Sequence, residues 1–138
     1  MPAKDFVHDF VKNALIKDGW EIMHDPYFLP LGKERSYVDL AAEKILIAEK
    51  DAHKIAVEIK SFGGKSDLVA FREALGEYLF YKAVLKDYEA DRQLFLAVGK
   101  QIFEDFFEET AIRKIWQLYQ VQIIVFDEKT EEILKWII

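Results

Sequence analysis

The sequence predicts an α/β (α+β) domain, a mixed central β-sheet flanked by helices, as one unit over its 138 residues. Three observations carry this. Hydrophobic periodicity changes along the chain in the order helix, strands, helix, strand, helix, strands. The stretch "RQLFLAVG", residues 92–99, is apolar through its middle, as a strand covered on both faces is. The apolar fraction of 51%, with 14% aromatic residues, is enough to build a core in one domain of ordinary size and excludes a disordered chain.

Each element follows in turn. Residues 4–18 place Val7, Phe10, Val11, Ala14 and Leu15 at helical spacing, with Asp5, His8, Asp9 and Lys12 opposite. Gly19 is suited to cap that helix. "WEIMHD" reads as a short strand, and the loop "HDPYFLPLG" holds two of the three prolines. "SYVDLAAEKILIAEKDAHKIAVEIKSF" reads as two or three strands, with "EKDAHK" as the hairpin turn. "GGKSD" breaks the chain and offers Ser66 or Asp67 as a helix N-cap. A long helix follows, with Phe71, Leu75, Tyr78, Leu79 and Leu85 as its apolar stripe.

After the central strand, "QIFEDFFEETAIRKIWQLYQ" is helical with a break near Thr110, and Phe103, Phe106 and Phe107 face the core. "VQIIVFD" and "EILKWII" are two closing strands joined by "EKTE". If "EILKWII" lies at a sheet edge, its open backbone groups can pair with another chain, giving a homodimer or a docked companion.

Composition narrows the function classes. A net charge of −6 and a pI near 5.1 argue against a protein that wraps nucleic acid, which needs Lys and Arg to neutralise phosphates. A nuclease remains compatible, because a bound divalent cation offsets its carboxylates. The longest basic concentration is "RKIWQ", near residue 113. The absence of cysteine excludes a disulfide framework and a thiolate metal site and suits a reducing cytoplasm. "MPAKDFVHDF" lacks the apolar core of a signal peptide, and no run approaches the ~20 apolar residues of a membrane span. The expectation is a cytoplasmic protein with no membrane partner.

The chemistry centres on "KIAVEIKSFGG", residues 54–64. Ile55, Val57 and Ile59 alternate with Ala56, Glu58 and Lys60, which predicts a strand with one buried face and one face bearing Glu58 and Lys60. Such a pair is an ordinary solvated strand face when cross-strand charges are matched. It is also half of a metal site if Asp39, in the upstream strand "YVDL", converges on the same edge. Mg2+ (or Mn2+) takes oxygen ligands and needs only one or two carboxylates besides water and substrate phosphate. Asp39, Glu58 and the Ile59 carbonyl would serve as ligands, and Lys60 would orient or deprotonate a water or stabilise phosphoryl charge.

Asp39 followed by Glu58-x-Lys60 resembles the signature of the restriction-endonuclease-like PD-(D/E)xK nucleases. More specifically, the N-terminal stretch, "YVDLAAEK", "IAVEIKSF", "ALGEYLFY" and "VFDEKTEEILKWII" are similar to the XisH-type proteins, the fdxN-element excision controlling factors of cyanobacteria. The resemblance covers essentially the whole chain. It implies a restriction-endonuclease-like core and a role in excising a DNA element by site-specific recombination. A separate recombinase and a small companion protein of the XisI type would act with it. It further implies that Asp39 and Glu58 are metal ligands and Lys60 the catalytic lysine of a Mg2+-dependent DNA endonuclease, if the chain cuts at all. A non-catalytic interaction module is the third reading.

Two departures stand out. Val38 replaces the proline before Asp39. The helix after the core offers Glu73 and Glu77 where such nucleases often carry Gln, and a carboxylate cannot donate amide hydrogen bonds. Glu73 and Glu77 are an i, i+4 like-charge pair, which a shared cation, a basic partner or solvent would relieve. His8 is expected on a solvated helix face between Asp5 and Asp9, and His24 and His53 carry no assigned role. Glu43 and Glu49 are expected as solvated strand ends.

Overall fold

The computed structural model describes residues 3–24, 44–63, 66–88 and 90–138. Helix α1 (Ala3–Lys17) leads into strands β1 (Glu21–His24), β2 (Lys44–Lys50) and β3 (His53–Ile59). Helix α2 (Asp67–Tyr88) returns the chain to β4 (Gln93–Gly99). A short helix α3 (Lys100–Ile102) continues as a π-helical turn (Phe103–Phe107), and α4 (Thr110–Leu118) precedes β5 (Ile123–Asp127) and β6 (Glu132–Ile137). The expected strand around Tyr37–Leu40, the loop "DPYFLPLG" and Glu43 lie outside the described residues.

The six strands lie in sequence order, β1-β2-β3-β4-β5-β6. The outer pairs are antiparallel, while β3–β4 and β4–β5 are parallel and need the helical crossovers that the sequence supplies. α1 covers one face, where Val11 and Leu15 meet Ile55, Val57, Ile59 and Phe95. α2, the π-turn and α4 cover the other, where Phe71, Tyr78, Phe107 and Trp116 meet Leu94, Leu96 and Val98. The sheet is therefore the middle of three layers, and β4 is buried from Leu94 to Gly99 as its unbroken apolar run predicts.

Local chemistry explains the element ends. α1 stops at Gly19, whose φ of +94° suits glycine, and Trp20 N–H closes back onto the Leu15 carbonyl at 3.0 Å. α4 ends in the same motif, with Val121 N–H on the Trp116 carbonyl at 2.9 Å, but Gln120 takes the left-handed position at φ +54°. The β2–β3 hairpin turns on Asp51 and Ala52, both at positive φ, the geometry that matches strand twist. Ser66 caps α2 by accepting the Val69 N–H at 3.1 Å. The helix break falls at Glu108–Glu109, just before Thr110, after the Glu108 N–H reaches back five residues to Phe103. That π-turn sets Phe107 edge-on to Phe62 and Phe71, with ring centroids 5.5 and 5.4 Å away.

β6 is an edge strand, as anticipated, but it is blunted. Phe126 pairs with Ile133 and Val125 with Lys135, so Leu134 is an extra residue in a bulge. β1, at the other end, has a matching irregularity at Met23. Bulges with flanking charges, here Glu132 and Lys135, disfavour further strand pairing.

Candidate functional site

β3 departs from the one-faced strand predicted for it, because Ile55 to Ile59 are all buried. The alternation is real but both faces are covered. Ile55, Val57 and Ile59 pack toward α1, whereas Ala56 packs into the α2 layer. Glu58 shares the Ala56 face by strand alternation and is 0% exposed. It is therefore not on a solvated face. It stands level with Ile45 of β2 and Leu96 of β4.

Tyr78 on α2 is also buried and senses the charge of Glu58. Burial pushes the Tyr78 phenol up to about 12, the Gln122 N–H hydrogen bond opposes the shift, and the negative charge of Glu58 adds to it. The Tyr78 hydroxyl donates to the Leu94 carbonyl at 3.0 Å and accepts the Gln122 N–H at 3.0 Å. The phenol is thus held neutral between two strands while sensing the carboxylate of a third. The sequence places Tyr78 only in an apolar stripe.

Lys60 lies one alternation beyond Glu58, on the α2 side, with its side chain 16% exposed. Its ammonium sits 3.0 Å from Glu77 Oε1 and 3.8 Å from Glu73 Oε1. The shared cation that relieves the Glu73/Glu77 pair is Lys60 itself. The N–O distance to Glu77 is that of a charge-assisted hydrogen bond, whereas the Glu73 contact is a longer ion pair.

Beyond Lys60, a cleft of about 320 Å3 opens at the carboxyl ends of the parallel strands, lined by Lys60, Asp67, Gly99, Asp105 and Glu128 among others. That is where open α/β sheets bind ligands. Asp105 accepts a hydrogen bond from Gln101 Nε2 at 2.6 Å.

The other predicted site residues are placed as follows. Asp39 and Glu43 lie outside the described residues. Ile59 is at the end of β3, level with Lys44 and Ala97. His8 is half-buried rather than on a solvated face, and it does not line the cleft. Glu49 is far along β2 from Glu58, four residues from its partner Ile45, and it pairs with Arg92 at 3.5 Å rather than standing as a solvated strand end.

The residues described do not by themselves fit a Mg2+ site. Among them no three His, Asp or Glu side chains are grouped to hold a metal, and Glu58 is closed to the waters that Mg2+ keeps. Lys60 is engaged by Glu77 and Glu73. Among the described residues, no helix is long and apolar enough to cross a membrane.

The chain is similar to the crystal structure of an fdxN element excision controlling factor protein from Anabaena variabilis, with 36% identity and a TM-score of 0.88. That match covers 97% of this chain and 99% of the other. It is also similar to the crystal structure of an XisH family protein from Nostoc punctiforme, with 33% identity and a TM-score of 0.88, covering 97% of this chain and 100% of the other. The chain matches no protein of curated function. The family model described as XisH protein matches residues 1–134. The chain belongs to the XisH family.

Proposed function

We propose that this protein is a controlling factor in the excision of a DNA element, working beside a recombinase and a small companion protein through a nuclease-like core that regulates rather than cuts. The observation that carries the non-cutting part is the state of Glu58 and Lys60. Glu58 is 0% exposed, and the Lys60 ammonium is bound 3.0 Å from Glu77. Neither group is presented to a scissile phosphate. The excision role is supported by the likeness to the Anabaena variabilis factor over nearly both whole chains.

The test is an excision assay in a host carrying the element and its recombinase. Deleting the protein is expected to abolish excision, and both the wild type and Glu58→Gln are expected to restore it. A Glu58→Gln variant that folds but fails to restore excision would sink the regulatory reading.

A second reading has one observation in its favour. Glu58 and Ile59 end β3, and Lys60, the next residue, lines the 320 Å3 cleft at the carboxyl ends of the sheet. On this reading Asp39, Glu58 and the Ile59 carbonyl hold Mg2+, and the protein is a DNA endonuclease. Mg2+-dependent nicking of plasmid DNA that disappears in Glu58→Ala and Lys60→Ala would establish it.

A further inference from the structure

The opposite end of the sheet has a different character. Two grooves meet there, at the amino ends of β4 and β5. One, of about 490 Å3, is lined by Trp116, Val121, Ile137 and Ile138 together with Lys82 and glutamines. The other, of about 350 Å3, is lined by Lys82, Lys86 and Arg92 beside Tyr78 and Leu94. Lys82 and Gln122 belong to both, so the grooves are continuous. No carboxylate side chain lines either one, although the chain has 25 acidic and 19 basic residues.

The two lysines are four residues apart on α2, where like charges repel. Neither makes an ion pair among the described residues. Part of this is helix chemistry, since cations suit the end of a helix. That does not explain the apolar wall beside them. Ile138, at the rim of the first groove, is 82% exposed. An apolar groove bordered by two lysines that make no ion pair among the described residues, on a chain of net charge −6, complements a ligand with apolar anchors and carboxylates.

We propose that this composite groove docks an acidic amphipathic segment of a partner protein. Its apolar side chains lie against Ile137 and Ile138 at the rim, over a buried floor of Trp116 and Val121, and its carboxylates reach Lys82 and Lys86. Arg92 is fixed in the floor by its bonds to the Ile55 carbonyl at 3.2 Å and to Glu49. Nucleic acid is a poor fit, because it would need many phosphate contacts and gain nothing from the apolar wall. Strand addition is disfavoured by the Leu134 bulge on β6.

The test uses two fluorescent synthetic helical peptides of about 15 residues, long enough for a marginal helix. Both carry leucines on one face; one has glutamates and the other lysines on the opposite face. Fluorescence anisotropy with the full chain is expected to show saturable binding of the acidic peptide only. Lys82→Glu with Lys86→Glu, and separately Ile138→Asp, should each weaken it by about tenfold or more. Lys114→Glu, on the exposed side of α4, should leave it unchanged. These side chains are exposed, and an unaltered circular dichroism spectrum confirms that the variants fold. Failure of the acidic peptide to bind, equal binding of the basic one, or indifference to both groove variants overturns the proposal. So does a concentration-dependent dimer in sedimentation that Ile138→Asp abolishes, which would give the groove to a second copy of the chain.

Discussion

The two ends of the parallel strands use charge in opposite ways. At the carboxyl end, a cationic Lys60 is enclosed by Glu77 and Glu73, and the cleft beside it carries Asp67, Asp105 and Glu128. At the amino end, Lys82 and Lys86 stand open beside an apolar groove. Each end also holds a buried charge, Glu58 at one and Arg92 at the other. One helix, α2, supplies both sets, with its acidic pair near its start and its basic pair near its end. The lesson is that identical i, i+4 like-charge spacing has different consequences depending on what the sheet brings opposite. Lys60, the residue after strand β3, closes the first pair, whereas among the described residues no Asp or Glu side chain lines the grooves beside the second.

The largest way to break this arrangement is at the floor of the amino-end groove. Trp116 is buried, and its indole N–H donates to the Phe107 carbonyl at 2.9 Å. Trp116→Ala should cost about 3–5 kcal/mol in urea unfolding, by lost burial and a cavity. A loss below about 1 kcal/mol would mean that the groove wall is loosely packed.

Tyr78 links the two ends, lining the amino-end groove while sensing Glu58. Its folded value of about 12 lies above the unfolded value of 10.0. The neutral phenol is thus favoured by folding. This contribution is fully present below pH 10, is lost as the pH rises through about 12, and amounts to about 2–3 kcal/mol. Alkaline unfolding curves of Tyr78→Phe should be flatter across that window than those of the wild type. Superimposable curves would show that another group governs the alkaline transition.

The contrast between the two charge pairs gives a smaller effect. Lys60→Met should destabilise by about 1–2 kcal/mol, because it leaves the Glu73/Glu77 repulsion and a half-buried carboxylate unrelieved. Lys82→Met should change stability by no more than about 0.5 kcal/mol, in either direction. Equal losses in paired denaturation experiments would erase the distinction between a closed and an open end.

The smallest effects lie in the turns at the amino end. Ala52→Gly and Gln120→Gly should each stabilise by about 0.5–1 kcal/mol, because both native residues sit at positive φ where glycine is unstrained. A fall in melting temperature in either variant would point to side-chain contacts outweighing backbone strain.

Much of this was legible in the sequence for physical reasons. Gly19, Ser66 and the unbroken apolar run of β4 announce themselves through local conformational and solvation rules, and each is where those rules put it. The two-sided burial of β3 was not legible. Glu58 looks like a solvent-facing residue, and Ala56 is too small to mark a buried face. The Ala70, Ala74 and Tyr81 contacts of α2 were missed for a related reason: small residues and a hydroxyl do not stand out in an apolar stripe. In the candidate site, the shared cation for Glu73 and Glu77 was anticipated only as a class, because its identity depends on how β3 meets α2. The basic groove was invisible. Lys82, Lys86 and Arg92 come together only when the chain turns from helix to strand, whereas "RKIWQ" is contiguous in the sequence.

The most direct measurement of the central claim is calorimetric titration of Mn2+ in the presence of a short DNA duplex, which supplies any missing phosphate ligand. Wild type, Asp39→Ala and Glu58→Ala would be compared. With Glu58 buried and Lys60 held by Glu77, the three titrations should coincide, showing only binding by the duplex. A saturable component present in the wild type and lost in both variants would contradict the account and identify the carboxyl end as a working metal centre.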